Sequence, residues 1–275
     1  IQNAKQIVVQ KVRECEKRNI FNKFKEIENS IVSANVRKTD EKGNLYVDIN
    51  GLEAIVPAKE LSPVDIFRQG DRIKIYIGAV EESTKFTKTF VSRKSEELLR
   101  GLLELEVPEI YEEIIEIRNI AREAGSRSKV AVYSNDENLD VKGACIGRNE
   151  MRIQNIIDEL CGEKIDIVLW NEDITEFVKN ALNPAEVLSV EIIEEGEENM
   201  KVARVLVAEN QLSLAIGKKG QNSRLAARLC GVKIDIHTEP AEIDEFEEYE
   251  EDTAFNDSFE DEVEESAFAG LHEED

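Results

Sequence analysis

The chain has 275 residues, 41% of them hydrophobic, so it can bury sizeable cores, and its length suggests two or three domains. Its four cysteines, Cys15, Cys145, Cys161 and Cys230, form no Cys-x-x-Cys pair and have only His237 and His272 to assist them, which argues against a zinc site or disulfide framework and for buried reduced thiols; no signal peptide, lipidation motif or apolar run of about twenty residues is present, so a cytoplasmic chain with no membrane partner is expected. The net charge of −24 disfavours phosphate binding, yet residues 239–275 hold 18 acidic side chains and no Lys or Arg, which leaves about −6 for residues 1–238.

Residues 1–26 place Ile1, Ala4, Ile7, Val8, Val12, Cys15 and Ile20 near helical spacing, with Lys5, Lys11, Arg13, Lys17 and Arg18 between them, and read as one amphipathic helix. Packing on a preceding domain is preferred to a basic RNA-binding role, and the first residue, Ile rather than Met, leads us to expect that an N-terminal region is missing. Short β-like runs follow at 30–36, 45–49, 54–56, 72–80 and 86–91, separated by the turn signals Lys42-Gly43-Asn44, Asn50-Gly51 and Gln69-Gly70-Asp71. Five short strands predict a small closed barrel of the OB type. Such barrels stack bases on aromatic rings while cations follow the backbone. Tyr46, Phe67, Tyr76 and Phe86 are the rings on offer, and Arg37, Lys38, Lys42, Lys85 and Lys88 the cations. For each ring taken alone, core packing is preferred to a stacking platform, and the cations also suit an ordinary solvated surface.

A helix at 95–105 ends at Val107-Pro108, since proline disfavours helix in the residue before it. Residues 114–120 suit helix or strand, and 129–133 read as strand. A segment then occurs twice. Ile146-Gly147-Arg148-Asn149-Glu150 leads through a helix at 150–160 into Leu160-Cys161-Gly162-Glu163-Lys164-Ile165-Asp166-Ile167, within a strand at 164–170. After a helix at 173–182, a break at Pro184 and strands at 187–193 and 201–207, Ile216-Gly217-Lys218-Lys219-Gly220 leads through a helix into Leu229-Cys230-Gly231-Val232-Lys233-Ile234-Asp235-Ile236, within a strand at 232–237. The copies are offset by 70 residues at the first glycine and 69 at the cysteine, which marks a duplicated unit. The order helix, strand, strand, helix, helix, strand is the type II form of the KH domain, whose Gly-x-x-Gly loop admits a nucleic-acid backbone. Residues 239–275 lack a sustained apolar period and are expected to be disordered.

Glycines bracketing two residues allow tight backbone geometry, and the helix that follows presents its N-terminal amides to an anion. In the second copy Lys218, Lys219 and Arg224 add charge, and residues 211–238 carry +4 through these three, Arg228 and Lys233 against Asp235. In the first copy Glu150 stands where the second glycine would be. Arg148 and Arg152 compensate in part, Asn149 is a candidate helix N-cap, and weaker RNA contact, a different path or a purely structural unit is expected there. No Gly-x-Ser-x-Gly, His-Glu-x-x-His or Walker loop occurs, so no enzyme activity, cofactor or metal is expected.

With these segments in place, residues 1–238 resemble the NusA family of bacterial transcription elongation and termination factors. The most specific stretches are Glu106-Val107-Pro108-Glu109-Ile110, residues 120–132 from Ile120-Ala121-Arg122-Glu123-Ala124-Gly125 to Val132, Gly143-Ala144-Cys145-Ile146-Gly147, and residues 162–170 ending in Trp170. The resemblance implies a multidomain α+β chain, a small OB-type β-barrel (S1) followed by two type II KH α/β domains. Residues 1–26 would be the last helix of an N-terminal polymerase-binding domain, 27–93 the S1 domain, 94–170 and 171–238 the KH domains, and 239–275 an acidic tail. It further implies a monomeric RNA-binding factor that engages nascent single-stranded RNA at RNA polymerase and, with other Nus-type factors, modulates pausing, termination and antitermination. Gly217, Lys218, Lys219, Gly220 and Arg224 would contact RNA first, with Gly147, Arg148 and Arg152 second. Two departures stand against it, Glu150 and the absence of most of the polymerase-binding domain. An accessory RNA-binding module of an RNA-processing enzyme, whose families put a single KH before S1, and a general RNA chaperone remain as alternatives.

Overall fold

The computed structural model of the chain describes residues 2–82, 87–195 and 200–238. Helix α1 (Gln2–Glu26) forms as expected, but its apolar stripe is not what seats it: Ile7, Val8, Val12 and Ile20 are exposed. Phe21 and Phe24, three residues apart and so on one face, dock its C-terminal end on the barrel core.

The barrel comprises β1 (Ser30–Thr39), β2 (Leu45–Ile49), β3 (Leu52–Val56), β4 (Arg72–Glu82) and β5 (Thr87–Ser92). Its antiparallel order is β3-β2-β1-β4-β5, and β3 and β5 approach across the seam, so the sheet nearly closes. Period-two alternation sets the core, with Leu45, Val47 and Ile49 inward beside Ile73, Ile75 and Ile77. Asn50 (φ 50°) and Gly51 (φ 86°) both hold the positive φ that a two-residue type I′ hairpin turn requires. Phe86, Lys85 and the expected acidic disordered tail lie outside the described residues.

Helix α2 (Glu96–Glu106) begins at Ser95, whose hydroxyl accepts the Glu97 amide, a cap that contributes about 1 kcal/mol. It stops before Pro108, which opens the short α3 (Pro108–Tyr111) at a position where its missing N–H costs nothing. The ambiguous stretch after it is strand β6 (Glu116–Glu123), antiparallel to β7 (Arg127–Tyr133), which runs parallel to β8 (Lys164–Leu169). Between β7 and β8 lie α4 (Val141–Ile146) and α5 (Met151–Glu159). The second copy repeats the order as α6 (Ile174–Leu182), β9 (Val187–Glu195), β10 (Met200–Val207), α7 (Glu209–Ile216), α8 (Gln221–Cys230) and β11 (Lys233–Thr238), with β10 central in its sheet.

The two copies share a core. One face of the first sheet carries Ile120, Val130, Val132 and Ile167 onto α2, α4 and α5. The opposite face presents Ala121, Ala131 and Val168 to α6 and α8, where Ala181 and Ala226 complete a contact with few side-chain atoms. Small residues on both partners let the helices lie close to the strands. Polar ties reinforce the contact: Asn119 Nδ2 donates to Leu229 O at 2.7 Å, and Lys129, fully buried, donates to Asp166 Oδ2 at 3.0 Å and Asn183 O at 3.1 Å.

The barrel is fixed to the first KH domain by Arg93, itself 1% exposed. It donates Nε to Asp65 Oδ1 (3.1 Å), Nη1 to Lys74 O (2.6 Å) and Glu159 Oε1 (3.1 Å), and Nη2 to Glu159 O (2.8 Å), with its guanidinium over the Phe67 ring. The expectation of buried thiols is corrected for two of the four cysteines: Cys15 and Cys161 are exposed, because Cys15 lies on the uncovered part of α1 and Cys161 at the left-handed turn after α5. Burial raises the thiols of Cys145 and Cys230 to about 12, so both stay protonated and inert.

Candidate nucleic-acid interface

The two glycine loops have the same backbone. Gly217 (φ 74°, ψ 172°), Lys219 (φ 54°, ψ 30°) and Gly220 (φ 71°, ψ 19°) match Gly147 (φ 80°, ψ 169°), Asn149 (φ 52°, ψ 33°) and Glu150 (φ 61°, ψ 15°). The closing bond recurs too, from Gly220 N to Gly217 O and from Glu150 N to Gly147 O, each 3.1 Å. The first glycine is required twice over: by its positive φ, and because a Cβ there would meet Asn222 N at 2.9 Å in one loop and Arg152 Cγ at 2.6 Å in the other. Those two neighbours are equivalent braces. Asn222 Nδ2 reaches Leu214 O (3.3 Å) and Arg152 Nη1 reaches Ala144 O (2.6 Å), each holding the last turn of the preceding helix.

The second glycine is different. Around Gly220 no atom lies closer than 3.9 Å to where a Cβ would be, so only its left-handed φ asks for glycine. Glu150 therefore fits the same fold at a conformational cost of about 1 kcal/mol, and what it changes is charge rather than path. Asn149 is not the N-cap expected of it: α5 begins after Glu150, which makes no side-chain cap bond. Replacing Glu150→Gly is expected to alter unfolding free energy by less than about 1 kcal/mol, since strain relief and backbone entropy oppose each other. RNA affinity should rise, which paired denaturant melts and anisotropy titrations would show.

Of the expected contact residues, Lys218 and Lys219 are exposed at the tip of the second loop, and Arg148 is exposed on the first. Arg152 turns inward to Glu109 Oε2 at 2.9 Å. Arg224 is held by Glu123 of the first KH domain, Nε to Oε1 at 2.6 Å and Nη2 to Oε2 at 3.2 Å. In the barrel, Tyr46 stands on the outer face with Lys38 Nζ 4.8 Å from its ring centre, beside exposed Ile55, its partner on β3. Phe67 and Tyr76 are structural: Phe67 lies under Arg93, and Tyr76 packs against the first KH core. Phe90, which is exposed, was not among the rings singled out from sequence.

Two adjoining grooves lie at the loops, one at the first and one at the second. One, about 360 Å³, has an apolar floor of Ile146, Ile153, Ile157, Ile165 and Ile167 with Lys142, Glu150 and Arg127 on its rim. The other, about 380 Å³, lies between Ser126, Arg127 and Lys164 of the first KH domain and Leu214, Gly217, Lys218 and Gln221 of the second. Arg127 and Pro184 line both. An apolar slot suits a base, and exposed amides and ammonium groups suit phosphates. Arg127, Lys142 and Pro184 carry no motif of their own, so sequence reasoning missed them. Arg127 does lie inside the specific stretch at 120–132.

Two carboxylates stand by the grooves: Asp166 lines the first, and Glu123 accepts from Gln221, which lines the second. The Arg224 guanidinium holds Glu123 below the usual carboxylate range. Burial would raise Asp166, but Arg127 and Lys129 outweigh it and hold that carboxyl low as well. A depressed folded-state pKa means the unfolded chain binds protons more readily, so this stability is present above the ordinary carboxylate pKa and lost as pH falls through the folded value. Unfolding free energy should thus fall below about pH 4, and fall less steeply in Asp166→Asn, as urea melts across pH would record.

Residues 25–87 match the S1 RNA binding domain, 93–170 the NusA-like first KH domain and 174–244 the NusA-like second KH domain. The sequence is 48% identical to the transcription termination/antitermination protein NusA of Halalkalibacterium halodurans over 238 residues, 86% of this chain and 61% of that protein. It is 48% identical to the protein of the same name from Bacillus subtilis (86% and 63%) and 46% identical to that of Thermus thermophilus (90% and 62%). The chain therefore spans about six-tenths of the length of these relatives.

Proposed function

Because the chain carries an S1 domain followed by the two NusA-like KH domains, we propose that it is an RNA-binding transcription factor that engages nascent single-stranded RNA at RNA polymerase and, with other Nus-type factors, modulates pausing, termination and antitermination. It acts in the cytoplasm as a monomer, by binding and positioning rather than by catalysis. The observation that supports this most is the pair of adjoining grooves at the two glycine loops. A strand laid along them places bases over the isoleucine floor and phosphates at the amides that open α8, with Lys218 and Lys219 alongside. Duplex RNA cannot splay its bases into such a slot.

The test is twofold. A labelled single strand should bind in a salt-dependent manner and much more tightly than the matched duplex. Added to RNA polymerase transcribing through an intrinsic terminator, the chain should change the fraction of terminated transcripts. Equal affinity for duplex and single strand, or no RNA binding at all, would overturn the reading.

A further inference from the structure

We propose that Glu123, a residue of the first KH domain, is the positioning residue for the glycine loop of the second; the proposal rests on the RNA-binding reading above and names what keeps that site in shape. Glu123 accepts from Arg224 Nε (2.6 Å) and Nη2 (3.2 Å) and from Gln221 Nε2 (2.8 Å), and faces Arg228 Nη1 at 3.9 Å. The remaining arm of the same guanidinium, Nη1, donates to Lys219 O at 3.2 Å. Arg224 thus spans from a neighbouring domain to the loop's own backbone. A peptide unit is planar, so anchoring the Lys219 carbonyl also sets the direction of the Gly220 N–H, which closes the loop on Gly217 O. In the first copy the residue equivalent to Arg224 is Gln154, which bonds instead to Asp158 on its own helix.

Charge alone predicts the opposite of positioning. A carboxylate beside a phosphate track repels the ligand, so its removal would tighten RNA binding. If Glu123 instead orders the loop, Glu123→Ala weakens binding although it deletes a negative charge, while Glu123→Gln, which keeps an acceptor for Arg224, stays near wild type.

The experiment compares wild type, Glu123→Ala and Glu123→Gln by anisotropy with a labelled single-stranded RNA and by amide hydrogen exchange at residues 218–222. The expected result is roughly threefold to fivefold weaker binding and faster loop exchange in Glu123→Ala, both restored toward wild type in Glu123→Gln. Equal or tighter binding by Glu123→Ala, or unchanged loop exchange, overturns the proposal. A wild-type chain that binds no RNA overturns the functional reading instead, and loop exchange alone then decides whether Glu123 orders the loop.

Discussion

Exchanging both loop lysines for aspartate, Lys218→Asp with Lys219→Asp, should remove most of the chain's affinity for single-stranded RNA. Each phosphate neutralised on a single strand contributes a slope of about −0.7 to log affinity against log salt, so losing two contacts flattens the slope by about 1.4 and weakens binding by about 25-fold near 0.1 M salt. Reversing the charges adds repulsion to that loss. Both side chains are exposed, and aspartate tolerates the left-handed conformation at position 219 better than most residues, so the loop should keep its shape and the melting temperature should barely move. Anisotropy across a salt series is the measurement. Equal binding by the variant would shift the RNA site away from this loop, toward the first KH groove or the outer barrel face at Tyr46.

The second large effect is on stability. Arg93→Ala should lower the unfolding free energy by about 3–5 kcal/mol, because it strands Asp65, itself 3% exposed, as a buried carboxylate without its cation. It also frees the carbonyls of Lys74 and Glu159, which belong to different domains. Arg93→Lys should rescue little, since one ammonium cannot reproduce a fork that meets Asp65, Lys74 and Glu159 while lying over Phe67. Guanidinium melts would show the loss. A second transition, with the barrel unfolding apart from the KH pair, would show that the same side chain couples them. A shift below about 1 kcal/mol would contradict this account.

Sequence alone carried the elements whose patterns are local. The run at 45–49 forms a strand as read, the Asn50-Gly51 turn sits where its φ values demand, and the glycine frames fall at the loops. Less legible was anything decided by a distant partner. Residues 114–120 were ambiguous because an apolar run does not say what it pairs with, and pairing with β7 makes the strand. The alanines at 121 and 131 are weak strand formers, so nothing local announced that both faces of the first sheet are buried. Nothing local to Arg93, Glu123 or Lys129 announces their partners, which lie up to 101 residues away. At Glu150 the tetrapeptide pattern does not tell space from charge: the position of the second glycine is open, so what the glutamate changes there is charge.

The outward face of the second sheet reads differently from the matching face of the first. Where Ala121 and the buried Lys129, paired with Asp166, lie against the next copy, the second sheet sets Glu191, Arg204 and Asp235 side by side, all exposed, with His237 following. Stacked repeats need a last member whose free side prefers water. The second KH unit has such a side: a further unit docked on it as the second docks on the first would have to strip water from three charged side chains, so this face favours water where its counterpart on the first sheet favours packing.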